Sequence, residues 1–208
     1  MALCHICNKR AAKRSCPAVA AGICPICCAR DRMVNLACPE SCAYLRSGRE
    51  SAMAREKAIR AKWLSERGPT NFRLSEAQAM AGEIVEAAVI EVQRESLRDL
   101  DDEEVVAALR NARENLETFD SGIIYEHQAV SRRVQQVSLH IREKLEKVAA
   151  EPGLADRILR NDMIEALRLL QEGVEAHLKY GNDPRGYVRM TALHIPWPSK
   201  AHEPLIIS

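Results

Sequence analysis

All eight cysteines of this 208-residue chain lie in its first 42 positions, at Cys4, Cys7, Cys16, Cys24, Cys27, Cys28, Cys38 and Cys42. From Tyr44 to Ser208 there is no other thiol. A stretch this short, interrupted by Pro17, Pro25 and Pro39, cannot bury enough apolar surface to fold unaided and needs a staple. The spacing points to metal. Cys4-x2-Cys7, Cys24-x2-Cys27 and Cys38-x3-Cys42 each put two thiolates within reach of one ion, the arrangement of a structural zinc knuckle.

Eight thiolates make two tetrahedral four-cysteine sites without remainder, so the expected cofactor is two structural Zn2+ ions. Cys27 and Cys28 are adjacent, and neighbouring side chains point apart. They are therefore expected at different ions: Cys4, Cys7, Cys24 and Cys27 at one site, Cys16, Cys28, Cys38 and Cys42 at the other. Ligand order is then interleaved, a cross-brace; exchanging Cys27 with Cys28 keeps the topology. The rival readings are a single four-cysteine site with the other thiols idle, an iron–sulfur cluster, which cysteine-only ligation permits, disulfides, and a redox thiol pair. The last belongs in a βαβ context that is missing here.

The opening residues Met1 to His5 begin no apolar run of signal-peptide length,. No stretch approaches the ~20 apolar residues of a membrane span. The expectation is a cytoplasmic protein with no membrane partner, whose clustered thiols bind metal instead of oxidising.

Beyond the cysteines, aromatics make up 4% of the chain and apolar residues 47%. A core of Leu, Val, Ile, Ala and Met follows, which favours helices over a β-sandwich. The expected fold is all-α: a helical-hairpin, four-helix-like body behind the small double-zinc module. The module takes 1–43, a connecting helix with a thin apolar stripe takes 44–67, the helical domain takes 75–193, and a Pro-containing tail takes 194–208.

Gly68 to Leu74 reads as a linker. Ser75 with Gln78 forms a capping-box pattern, opening a helix to about Arg98 with Met80, Ile84, Ala88 and Val92 on one face. Asp101 and Asp102 start the next, where Val105, Leu109, Ala112, Leu116 and Phe119 recur at helical spacing until Gly122. Ile123 to Glu126 is a short apolar crossing. A helix from about Ala129 to Ala150 carries Val134, Val137, Ile141, Leu145 and Val148 and stops at Pro152-Gly153. A short helical turn fits Leu154 to Leu159. Asp162 to Tyr180 carries Met163, Leu167, Leu170, Val174 and Leu178 before Gly181, and Pro184 to Leu193 forms a last helical piece. Val105 to Arg110 resembles Met163 to Arg168, with Glu114 and Glu117 matching Glu172 and Glu175, so the body reads as two related αα-hairpins.

Net charge is +1, yet residues 1–73 carry 14 Lys+Arg against 5 Asp+Glu while the remainder carries 16 against 24. A basic end of this kind suits an acidic partner, either nucleic acid or the acidic half of the chain itself. Lys9, Arg10, Lys13 and Arg14, with Arg30 and further arginines, are the candidate nucleic-acid contacts, through phosphate. No aromatic residue precedes Tyr44 to stack a base. The six histidines form no motif, and the body carries no His-Glu-x2-His, phosphate loop or nucleophile elbow. Glu126 with His127 is the one acid/base pair that could be drawn, and a structural role suits it better.

The interleaved cysteine order resembles cross-brace zinc modules such as the B-box, MYND and HIT-type fingers, which mostly recruit other proteins. It departs from them in lacking a clear His ligand and in the Cys27-Cys28 doublet. The run from Ala37 to Leu45 also resembles a signature of uncharacterised bacterial proteins with an N-terminal cysteine module and a helical remainder, and the likeness extends to Gly122 to Glu126. It implies that architecture and no particular activity. The reading that follows is a non-enzymatic, zinc-binding adaptor or regulator that meets another protein. Its alternative is a nucleic-acid-binding regulator using the basic module and first helix.

Overall fold

The computed structural model describes residues 2–67, 74–120, 127–151 and 158–197. The N-terminal module begins with a short hairpin, β1 (Arg14–Cys16) and β2 (Ala21–Ile23), paired antiparallel with Arg14 opposite Ile23 and Cys16 opposite Ala21. Helix α1 (Pro25–Asp31) follows directly. The sequence gives little sign of the hairpin, because each strand is three residues long. Its turn needs Ala20 at φ 49°. The module has its own small core, in which Ile23 and Leu36 pack among the sulfurs of Cys4, Cys16, Cys24, Cys27 and Cys28.

Helix α2 (Ala43–Arg67) matches the expected connecting helix, with Leu45, Gly48 and Ala52 buried and most of the rest in solvent. The body is built from α3 (Glu76–Glu95), α4 (Asp102–Asp120), α5 (Arg132–Ala149) and α6 (Arg160–Tyr180), closed by the short α7 (Gly186–Ala192). The body is therefore helical as expected, and the described residues are all-α but for the hairpin. Ser75 caps α3: its hydroxyl accepts from the Gln78 N–H, and the Gln78 side chain accepts from the Ser75 N–H. Asp101 and Glu104 form the same reciprocal cap on α4.

The four long helices pack as a ring in the order α3, α5, α4, α6, with Val85, Val89, Leu109, Ile141, Leu145 and Leu167 at its centre. Helices consecutive in the chain thus lie mainly across the ring from each other. This refines the two-hairpin reading: the four-helix arrangement holds, while the closest partners are α4 with α6 and α3 with α5. Exchanging α3 and α4 for α5 and α6 leaves this contact pattern unchanged, the pattern a duplicated helix pair would make.

Most expected stripes are buried, including Val105, Leu109, Ala112 and Leu116 on α4 and Val134, Val137, Ile141 and Leu145 on α5. On α3 the seam is shifted. Ala81, Val85, Ala88, Val89 and Val92 are buried, whereas Met80 and Ile84 are only half-buried against the cluster. This helix is gripped by α5, α6 and α7, so its apolar face is too wide for one stripe to define. The Gly68 to Arg73 linker, the Gly122 stop, the Ile123 to Glu126 crossing, Pro152-Gly153, most of the turn at 154–159 and the tail from Pro198 lie outside the described residues, as does the side chain of Phe119.

The body's core also reaches into the module. Met33, Val34, Leu45 and Ala52 belong to the same buried cluster as the bundle helices. Arg94 of α3 fastens the seam, donating to the Met33 carbonyl at 3.0 Å, to Ile195 at 2.7 Å and to Pro196 at 2.8 Å while its guanidinium lies over the Trp197 ring. Burial holds this guanidinium down at about 10.

Candidate metal centre

Four thiols, Cys4, Cys7, Cys24 and Cys27, converge with their sulfurs all within 4.8 Å of one another. Among the described residues they are the one group of three or more His, Cys, Asp or Glu side chains placed to share an ion. Two local structures aim them. After Cys4, the chain turns so that the Asn8 N–H donates to the Cys4 carbonyl at 2.9 Å, and Asn8 takes φ 49°, a left-handed conformation that asparagine tolerates. The second knuckle is the start of α1. Cys24 is its N-cap, its sulfur accepting from the Cys27 N–H at 3.4 Å, and Pro25 fills the first helical position, where its missing N–H costs nothing.

The donor set fits a tetrahedral thiophilic ion. Four sulfurs each ~2.3 Å from a zinc ion stand ~3.8 Å apart, within the observed spread. Burial opposes ionisation of Cys4, but the N–H groups of Cys7, Cys24 and Ile6 outweigh it and hold its thiol down at about 6. The N–H of Lys9 lowers Cys7 in the same way. Cys27 runs the other way: burial, with hydrogen bonds from the neighbouring cysteines, pushes its thiol up to about 12. Four clustered sulfurs, three of them buried, cannot all carry charge without a cation between them, and a metal ion would supply it. The site can hold one metal ion closed off by protein ligands.

The other four cysteines are not gathered to the same degree, yet they are neighbours. Burial raises the Cys38 thiol, and the charges of Cys42, Cys16 and Cys28 add to the effect. Arg32 donates toward the Cys28 sulfur at 3.7 Å.

The basic residues separate. Lys9 and Arg10 are exposed on the loop that brings the chain back to pair Leu3 with Ala11, and Lys13 is exposed just before β1. Arg14 stacks on the Tyr44 ring at 4.5 Å, and Arg30 forks onto Asp31 at 2.7 and 2.8 Å. Both line a cleft of about 730 Å3 between α1, α2 and the corner joining α6 to α7, together with Arg32, Arg55, Glu56, His177 and Arg189. His177, one of the six histidines that form no sequence motif, is buried and meets Glu56 of α2 at 2.6 Å. Nothing in sequence links two residues so far apart. His127 bonds Thr118 at 2.7 Å and His140 bonds Glu91 at 2.9 Å; Glu126 lies outside the described residues.

A second concavity, about 360 Å3, runs between α2, α3 and α6. Ile59, Trp63, Leu169 and Leu170 form its walls, and Gly82 and Gly173 lie on its floor, where an added Cβ would meet nothing within 4 Å. No helix among the described residues is long and apolar enough to cross a membrane. Searches of protein-family models, curated proteins and solved structures return no match to this chain.

Proposed function

We propose that the chain is a non-enzymatic zinc protein whose metal-stapled module and helical body together present a docking surface to another protein. The apolar groove between α2, α3 and α6 carries this reading. Its glycine floor lets a backbone approach closely, and its rim of Arg60, Glu83 and Glu86 suits an amphipathic helix laid along it. A closed set of four thiolates leaves no coordination position for a substrate, which favours a structural metal over a catalytic one.

The same reading places a second zinc at Cys16, Cys28, Cys38 and Cys42, supported by their proximity and by the arithmetic of eight thiols. The likeness to cross-brace fingers belongs with it. The nucleic-acid alternative needs Lys9, Arg10, Lys13, Arg14 and Arg30 to act together; only Arg14 and Arg30 line the cleft, and the adaptor reading is preferred.

Metal analysis of protein purified without added metal is expected to find about two zinc ions per chain. Cys4→Ser should release one and Cys16→Ser the other. One ion, or iron with visible absorption, sinks the two-zinc assignment. For the adaptor, Gly173→Leu fills the groove floor; crosslinked partners captured by the wild type and retained by this variant would count against the groove.

A further inference from the structure

The cleft between module and body has more cationic donors than the protein itself uses. Two carboxylates line it, and both are committed: Glu56 to His177 at 2.6 Å, and Asp183 to Arg189. Arg30 is likewise committed, to Asp31. Among the described residues, Arg14, Arg32 and Arg55 have no carboxylate partner. Moreover, the Nη1 of Arg14 and the Nε of Arg32 are buried N–H groups without an acceptor. Buried donors are rarely left unpaired, and here both belong to side chains that line the same cavity.

Their arrangement follows α2. Arg14 lies over Tyr44, Arg32 crosses the helix at Gly48, where a Cβ would sit 1.6 Å from its Nη1, and Arg55 projects from the same helix farther on. Positions 44, 48 and 55 recur at helical spacing, which files the three guanidiniums along one side of α2. A concave wall with this charge focuses potential onto an anion. The planar fork of arginine matches the oxygens of a phosphoryl group. Ile26, Ile59 and Met190 supply apolar wall, and no Phe, Tyr or Trp lines the cleft to stack a nucleobase. The volume is that of a metabolite site.

We propose that this cleft binds a small organic phosphate, its phosphoryl oxygens on Arg14, Arg32 and Arg55 and its carbon skeleton against Ile26, Ile59 and Met190. The ligand bridges module and body, since Arg14 and Arg32 come from the module, Arg55 from the connecting α2 and Met190 from α7.

The test is calorimetric titration of the metal-loaded full chain with pyrophosphate, glycerol phosphate and a short single-stranded oligonucleotide. Pyrophosphate and glycerol phosphate are expected to bind. Arg14→Gln, Arg32→Gln and Arg55→Gln should each weaken binding about tenfold or more, the size of a lost charge-assisted hydrogen bond. Gly48→Ala should weaken it similarly by displacing the flexible end of Arg32, and Lys9→Gln should leave it unchanged. Arg55 is exposed on a helix, so its variant folds and keeps the test decisive even if another does not. Absence of binding, or binding indifferent to Arg55→Gln and Gly48→Ala, overturns the proposal. So does tight oligonucleotide binding that depends on Lys9, Arg10 and Lys13, which would assign the charge to nucleic acid.

Discussion

Cys24 does two things at once: its sulfur caps α1 and faces the three other thiols. Serine separates the two roles, because it caps a helix well and ligates zinc poorly. Cys24→Ser is therefore expected to lose one metal ion per chain, and with it the fold of the module, despite an intact cap; metal content and proteolysis within residues 1–43 would measure this. Asp102 is a different case. It is fully buried, and its carboxylate accepts from the Tyr187 and Val188 N–H groups at 3.0 and 3.2 Å, capping α7. Burial outweighs those bonds and raises it from 3.8 to about 6. A carboxylic acid with a raised folded value binds its proton more tightly when folded, so this group's contribution to stability falls as pH rises from about 4 to about 6. The span corresponds to roughly 2–3 kcal/mol. Denaturant titrations at pH 4 and pH 7 should show that slope, and Asp102→Asn should flatten it. Sequence spacing exposed the cysteine pairs because each knuckle sets its two thiols a few residues apart. Asp102 read only as a helix start, since its partners lie 85 and 86 residues away.

At the level of elements, capping and periodicity were legible because both are written within a few residues. Ser75 with Gln78 opens α3 as expected, and α6 begins at Arg160, two residues before the expected Asp162. Partner choice was not legible. Nothing in a stripe says which stripe it meets, and α4 proves to face α6 and α5 more than its sequence neighbour α3. The hairpin of the module was invisible for a related reason: six residues of strand carry too little alternation to register. The α4–α6 contact contains Leu109 and Leu167, both essentially without exposure and at matching places in the two similar segments. Leu109→Ala and Leu167→Ala should each cost about 2–5 kcal/mol by leaving a cavity. If the two helices are equivalent by duplication, the two losses should be alike within about 1 kcal/mol; urea unfolding would measure both.

Over the whole molecule, two cores of unlike origin meet at a seam. The bundle buries enough aliphatic surface to stand on ordinary packing, whereas the module is held by sulfur and a shared strip of Met33, Val34 and Leu45. Chelating the metal is therefore expected to abolish protection of the backbone amides in residues 2–42 while α3 to α6 keep most of their helical signal. The bundle should melt at a lower temperature because it loses its share of the seam. Hydrogen exchange and far-UV circular dichroism before and after chelation would resolve the two effects, and simultaneous loss of all helix would refute separate cores. The clamp at Arg94 adds an order of events. The four thiols of the cluster lie between Cys4 and Cys27, so during synthesis they emerge ahead of the residues that the clamp joins. The clamp must wait, since Arg94 is joined both to Met33 and to Ile195 and Pro196, which leave the ribosome long afterwards. A nascent chain thus carries its cysteine head before that head can be fastened, and fastening reports that the bundle behind it has been made.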